Sequence, residues 1–407
     1  MIRKIMIKKY GLLTLAFLIF SAAIYFVLDK NKVFGEPEVI MPLTKSWEKV
    51  VPNQKVPQGL VSLRSEDCGT CHKEYYAEWK TSTHAQAWVD QQFQAELKKE
   101  SSPFMCINCH VPLQNQQEFI IKGLINGDIY KPVKEKNPLF DKELQKEGIN
   151  CASCHVRNNV IIGATGSTLA PHPVKKDPIH LSETLCISCH NANAVVTPTL
   201  ACTFQTGDEW KAGPFFGKKN CISCHMPETH RSLMEGFPAK KSHFHNFPAS
   251  GIPKHDTLKP VMLKSLEFYS TYVKKSYKIS DSLKFSLTLK NEHAGHRVPS
   301  GDPERFILID LILKNSEGKI VAKTQGRIGE AWEWYPAAKK LGDNNLNPGE
   351  ARTYNFKHFL NIKGKYKLET KVTKHRMTEE AAKYNKIDKS YPKSISIFKE
   401  NYEFEVK

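Results

Sequence analysis

The sequence predicts a multidomain chain. A mostly helix-and-loop region built on five Cys-x-x-Cys-His pentamers is followed by an all-β, sandwich-like domain, with a transmembrane helix at the N-terminus. Three observations lead there. The pentamers fall within residues 61–258. No cysteine follows Cys224, and beyond about residue 260 apolar and polar residues alternate. An apolar run opens the chain.

That run extends from Gly11 to Leu28, behind Arg3, Lys4, Lys8 and Lys9. Eighteen residues at helical rise span about 27 Å, enough for a bilayer core. The basic residues before it keep that end cytoplasmic. A cleaved signal peptide is the alternative: Ser21-Ala22-Ala23 offers small residues, but Ile24 to Leu28 carry the run past them. An uncleaved anchor over 1–30 is the preferred reading, and either way the remainder is exported to the periplasmic side. Residues 31–60, punctuated by Pro37, Pro42, Pro52 and Pro57, read as a tether.

The pentamers are Cys68-Gly-Thr-Cys71-His72, Cys106-Ile-Asn-Cys109-His110, Cys151-Ala-Ser-Cys154-His155, Cys186-Ile-Ser-Cys189-His190 and Cys221-Ile-Ser-Cys224-His225. Each reads as a c-type haem attachment site. The two thiols add across the haem vinyl groups, and the following His becomes the proximal iron ligand. The motifs use ten of the eleven cysteines. A zinc ribbon does not need His after every Cys-x-x-Cys, and a disulfide framework leaves five histidines unexplained. The expected cofactor set is therefore five covalently bound haem c.

First cysteines stand at 68, 106, 151, 186 and 221, a loose repeat of one haem per unit. So little polypeptide per haem cannot also build a large side-chain core, so the porphyrins must supply much of it. Short helices should carry the motifs, with long loops between them. After residue 259 the segments 283–289, 306–313, 319–324, 352–357 and 394–399 alternate as strands. Asn315-Ser-Glu-Gly318 and Asn345 to Gly349 supply turns. A helix over 378–384 interrupts this β-sandwich pattern.

The formal charge is +17. Ferric haems, each about −1 with its propionates, leave roughly +12, a surface suited to acidic partners or anionic lipid. No aromatic-and-basic recognition motif is present, so no nucleic-acid partner is expected.

The block CGTCHKEYYAEWKTSTHAQAW (Cys68 to Trp88) resembles the multihaem c-type cytochrome family typified by the tetrahaem cytochrome that serves hydroxylamine oxidoreductase. So do GINCASCHVRNN (Gly148 to Asn159), LCISCH (Leu185 to His190), CTFQTGDEW (Cys202 to Trp210) and CISCHMP (Cys221 to Pro227). GHRVPSGDPERF (Gly295 to Phe306) is similar to a motif that opens a β-sandwich appended in some relatives. The resemblance spans roughly 58–310 in blocks, and the family includes electron carriers and enzymes. This chain departs from the tetrahaem type by its fifth haem, its anchor and its C-terminal domain.

Eleven of the sixteen histidines are not proximal. His84, which the family block carries after the first motif, is a candidate distal ligand. So are His172 and His180 before the fourth motif, His230 after the fifth, and His245. His243 and His245 point opposite ways if the segment is extended. In the loop Glu292 to Ser300, His296 is the candidate to reach across and lock the sandwich to the cytochrome domain; hydrogen bonding within the loop is the competing reading. His255, His358, His375 and Met226 read as ordinary residues, and Cys202 as a small buried hydrophobe.

Two functions compete. Six-coordinate haems would make an electron carrier, fed by a redox protein or a quinol-oxidising membrane complex. One open haem would make an oxidoreductase of a small nitrogen or sulfur compound. Pentahaem nitrite reductases mark their catalytic haem with Cys-x-x-Cys-Lys, which is absent here. No catalytic residue is assigned, although Arg157, Arg231 and His230 are of the kind that steers an oxyanion. The sandwich carries no enzyme motif and reads as a docking surface.

Overall fold

The computed structural model describes residues 14–15, 17–27, 38–99, 103–167, 170–197, 200–248, 250–259 and 262–407. Much of the expected anchor over 1–30 and tether residues 31–37 lie outside them. The described part of the apolar run, 14–15 and 17–27, is helical. Among the described residues no helix is long and apolar enough to cross a membrane.

The chain divides into two compact units. One comprises 1–43 and 121–134, and the other 44–120 and 135–407. In the first, Ile40–Met41 pairs antiparallel with Phe119–Ile125, placing Ile40 opposite Ile125. The second holds most of residues 61–258, the expected cytochrome part, together with the β-rich part, so the boundary expected at residue 258 runs inside one compact unit. Residues 44–60, expected as a tether, are laid against the cytochrome part. Val51 N–H donates to the Pro112 carbonyl at 2.9 Å, and Gln54 N–H to Asn115 Oδ1 at 2.8 Å.

Nine strands form the β-rich part: β1 (Leu266–Ser270), β2 (Ser276–Tyr277), β3 (Ser282–Asn291), β4 (Phe306–Asn315), β5 (Ile320–Glu333), β6 (Lys339–Asp343), β7 (Ala351–Phe359), β8 (Gly364–His375) and β9 (Ser394–Val406). They build a three-stranded sheet ordered β1-β3-β7 and a six-stranded sheet ordered β2-β9-β8-β4-β5-β6. Alternation decides which face is inward. Leu283, Phe285, Leu287 and Leu289 of β3 are buried, as are Ile307, Ile309, Leu311 and Leu313 of β4. They meet Phe356, Leu368, Val372 and Phe404 in one core of 21 buried residues. Tyr354 on β7 crosses to β5 at Gly326, where a Cβ would sit 2.0 Å from the ring. The helix expected over 378–384 is Glu379–Tyr384, capped by the Thr378 hydroxyl, which accepts from Ala381 N–H at 3.1 Å.

In the cytochrome part the motifs sit on or beside short helices: α1 (Ser65–Gly69), α2 (Phe104–His110), α3 (Cys151–His155), α4 (Glu183–His190) and α5 (Cys221–His225). Two start with a reciprocal cap written into the motif. Asn150 Oδ1 accepts from Ser153 N–H at 2.9 Å while Ser153 Oγ accepts from Asn150 N–H at 3.2 Å. Asn220 and Ser223 repeat this at 3.0 Å in both directions. A cluster of five buried apolar residues, Leu63, Leu113, Leu144, Ala152 and Val156, packs beneath the third motif.

The two parts are joined closely. Arg297, in the loop after β3, pairs with Glu209 at 3.0 Å and with Asp343 at 2.5 Å. Ser300 Oγ donates to Glu209 at 2.7 Å. Backbones touch nearby: a Cβ on Gly213 would lie 2.3 Å from the Gly295 carbonyl oxygen.

Candidate haem-binding site

Backbone carbonyls fix four of the five motif histidines through the ring nitrogen not needed for a metal. His72 Nδ1 donates to the Leu233 carbonyl at 2.9 Å, His110 to Ala87 at 2.8 Å, His155 to Ile162 at 3.0 Å and His225 to Pro248 at 2.7 Å. That selects the tautomer with a free Nε2 lone pair, the usual second-shell arrangement of a ligating imidazole. Burial pushes His84 down to about 3, and His110, His190 and His245 to about 4, so these rings stay neutral.

Four imidazole pairs face each other at nearly one distance. His72 and His172 have ring centroids 6.4 Å apart; His84 with His190, His155 with His245, and His225 with His296 are each 6.3 Å apart. Two ring nitrogens at about 2 Å from one metal ion, plus the radii of two rings, span roughly 6 Å between centroids. The residues therefore fit an iron, which each pair of imidazoles would hold. Two of the opposing rings are held as well. His245 Nδ1 donates to the His243 carbonyl at 2.9 Å, and His296 Nδ1 to the Arg297 carbonyl at 2.8 Å. The thiols also fit haem attachment: all eleven cysteines are free, and every one keeps exposed surface. Among the described residues no three His, Cys, Asp or Glu converge as a zinc site would require.

Of the six candidate distal histidines, His84, His172, His245 and His296 thus lie opposite a proximal ring. His180 and His230 do not. His180 Nε2, the nitrogen an iron would need, donates to the Cys154 carbonyl at 3.0 Å. His230 belongs to the hairpin Glu228–Arg231 with Lys240–His243, where it stands opposite Lys241. His110 differs from the other proximal rings. Among the described residues no second imidazole faces it, and Phe93 stacks flat on its ring at 3.6 Å.

Sequence reading missed what holds the His245 segment. Glu78 accepts from His245 N–H at 2.8 Å and pairs with Arg231 at 2.5 Å. The Arg231 guanidinium lies 4.0 Å over the Tyr75 ring. It also missed Phe247, whose φ of +46° is rare for a bulky residue. The strain places its ring 4.5 Å from His84 and 5.7 Å from His245. Pro248, next in line, holds His225, so the run 245–248 touches three of the imidazole pairs. Its signal was the compact His-x-His-x-Phe-Pro string. The cations read as oxyanion-steering are committed elsewhere: Arg157 caps the Val156 and Ser153 carbonyls at 2.6 and 2.7 Å, and Arg231 pairs with Glu78.

The motifs also adjoin one another in a definite order. Cys68 of the first motif neighbours Cys151 of the third, and Cys186 of the fourth neighbours Cys221 of the fifth. Cys109 of the second reaches Cys189 of the fourth, and Cys154 of the third lies near that same thiol. The sequence of neighbours is first, third, fourth, fifth, with the second branching from the fourth.

Comparison with known proteins agrees with this geometry. Residues 67–126 match the family model "Cytochrome c554 and c-prime". The fold is similar to that of a penta-heme cytochrome c552 from Thermochromatium tepidum, with a TM-score of 0.58 and 17% identity over 86% of this chain and 100% of that one. A CARDB domain of the PF1109 protein from Pyrococcus furiosus matches 35% of this chain and 86% of its own length, with 12% identity and a TM-score of 0.19. A search of curated proteins gave no match. The chain thus combines a part that is similar to multihaem c-type cytochromes with a β-rich part.

Proposed function

We propose that this chain is an exported pentahaem c-type cytochrome whose work is electron transfer. The observation that carries this is the set of four opposed imidazole pairs at 6.3–6.4 Å. Bound haem would supply reversible one-electron Fe(III)/Fe(II) chemistry, and an iron with both axial positions filled by His has no site for substrate. The thioether residues are the ten motif cysteines, and the proximal ligands His72, His110, His155, His190 and His225. His172, His84, His245 and His296 are the distal ligands. Backbone carbonyls hold six of these rings, His72, His110, His155, His225, His245 and His296, which orients them and keeps their basicity high. The apolar run Gly11 to Leu28 serves export and, in the preferred form, anchors the chain to the cytoplasmic membrane with its bulk on the periplasmic side. A redox protein or a quinol-oxidising membrane complex is the proposed donor.

One specific observation favours a second reading. His110 has no imidazole opposite, so the second motif is where a small nitrogen or sulfur compound would meet an open iron. Low-temperature EPR on the oxidised soluble part, residues 31–407, separates the two. Four low-spin centres are expected from the paired histidines, with the His72–His172 centre set apart by its 61° inter-ring angle against 15° for His225–His296. A high-spin fifth centre that takes up nitric oxide after reduction would establish the second reading. Five low-spin centres without uptake would reduce the protein to a carrier. Fewer than four low-spin centres would overturn the proposed ligand set.

A further inference from the structure

Four basic side chains gather at one end of β4 and β8. Phe306 pairs with His375 and Ile307 with Lys374, so Arg305 stands opposite Arg376, whose guanidinium lies 5.2 Å over the ring of Tyr391, which shares Asp90 with Lys254. Of these four, only Lys254 has a carboxylate within ion-pair distance among the described residues. Lys254 pairs with Asp90, whose other oxygen accepts from the Tyr391 hydroxyl at 2.5 Å. Arg305 makes a single hydrogen bond, from Nη1 to the Ser300 carbonyl at 3.1 Å, and among the described residues no carboxylate lies within ion-pair distance. Lys374 Nζ reaches only Ser265 Oγ, at 3.5 Å. Arg376 is 5% exposed; its Nη2 donates to the Ile252 and Pro253 carbonyls at 2.7 and 3.2 Å, while its Nε is buried without a partner. The nearest further carboxylate, Asp302, is engaged by Gln92 at 3.3 Å and by Glu304 N–H at 2.9 Å.

Like charges gathered away from water repel one another and lose hydration, so such a cluster is stable only with a counter-anion. Its position says which. A Cβ on Gly301 would meet both Arg305 Nη1 and the Phe204 ring, at 3.1 and 3.3 Å, and Phe204 N–H donates to the Ala192 carbonyl, two residues past the fourth motif. Asp90, the partner of Lys254, follows three residues after Ala87, whose carbonyl holds the second motif's His110. We propose that Arg305, Lys374 and Arg376 form an anion-holding pocket whose ligand is a haem propionate of the fourth or second motif. Through it the β-rich part sets the potential of that centre. This rests on the pentahaem reading above. Cations beside a propionate favour the reduced, less positive iron and raise its potential; removing one lowers it.

The test uses the full haem-loaded chain, with haem counted by pyridine haemochrome and potentials taken from an optical redox titration. Lys374→Met and Arg305→Leu should keep five haems and move one titration step to lower potential, while Arg305→Lys should restore it. Five haems with every step unmoved in both charge-removing variants would overturn the proposal. A step that shifts when inorganic phosphate is added to the unsubstituted protein, but not in Lys374→Met, would assign the pocket to a diffusible oxyanion and overturn the propionate assignment. A haem count below five in the unsubstituted protein defeats the pentahaem reading itself and is distinguishable from both.

Discussion

In the β-rich part, 21 buried apolar residues from two sheets and their loops pack against one another. In the cytochrome part, the cluster beneath the third motif has five, and the gaps between motif helices are walled by half-exposed thiols and by opposed imidazoles held 6.3–6.4 Å apart. One part completes its interior with its own side chains. The other sets imidazoles opposite one another at a spacing that suits a shared metal ion. Their stabilities should therefore answer to different variables: apolar volume in the first, prosthetic-group loading in the second.

The largest effect expected from that contrast comes from withholding haem. Chain produced without haem attachment should lose the cytochrome part to limited proteolysis while a protease-resistant fragment beginning near residue 262 persists. Equal resistance of both parts, read by mass spectrometry of the digest, would erase the distinction. A smaller effect probes the dry core. Leu311→Ala, at a fully buried position of β4, should cost about 2–5 kcal/mol in denaturant unfolding of the β-rich part. The haem absorption spectrum should stay unchanged; a spectral change would mean the two interiors are one.

The smallest effect lies at the seam. Gln92 Nε2 is shared by three carboxylates, Glu96 at 3.1 Å and Asp302 and Glu304 each at 3.3 Å. Burial first, then the neighbouring carboxylates, push Glu96 up to about 8 and Glu304 up to about 7. Both folded values exceed the unfolded value of 4.5, so the folded state binds more protons in between. Stability is full below 4.5 and is lost as pH climbs towards 8. Glu304→Gln should remove part of that loss, raising the thermal midpoint by about 2 °C at pH 8 and leaving it unchanged at pH 5. A midpoint difference that is the same at both pH values would show that burial at the seam does not hold Glu96 and Glu304 protonated.

Legibility in sequence followed the same divide. The strand over 283–289 was plain because Leu and Phe alternate with Lys, Ser and Thr, and that over 306–313 because it is an apolar run broken by Asp310 alone. β8 was missed: in Gly364–His375 the inward Tyr366, Leu368, Thr370 and Val372 alternate with Lys and Glu, and one inward position is itself polar. In the cytochrome part the motif spacing gave the proximal histidines, since five residues fix thiols and imidazole locally. What faces each ring is decided by contacts far apart in sequence. His180 and His172 look equivalent along the chain. Only the fold shows that one spends its Nε2 on the Cys154 carbonyl while the other turns to His72. The unpaired state of His110 has no local sign at all.

The His225–His296 pair has a consequence in the order of manufacture. His296 is placed by Asn291 Nδ2, which donates to its carbonyl at 3.0 Å, and by the reciprocal Val298–Leu346 backbone bonds at 3.0 Å. Its seat therefore needs chain as far as residue 346, synthesised long after the fifth motif's thiols have emerged. A prematurely ended chain could carry all ten motif cysteines and still lack this ring, so the fifth centre registers whether translation ran through the β-rich part.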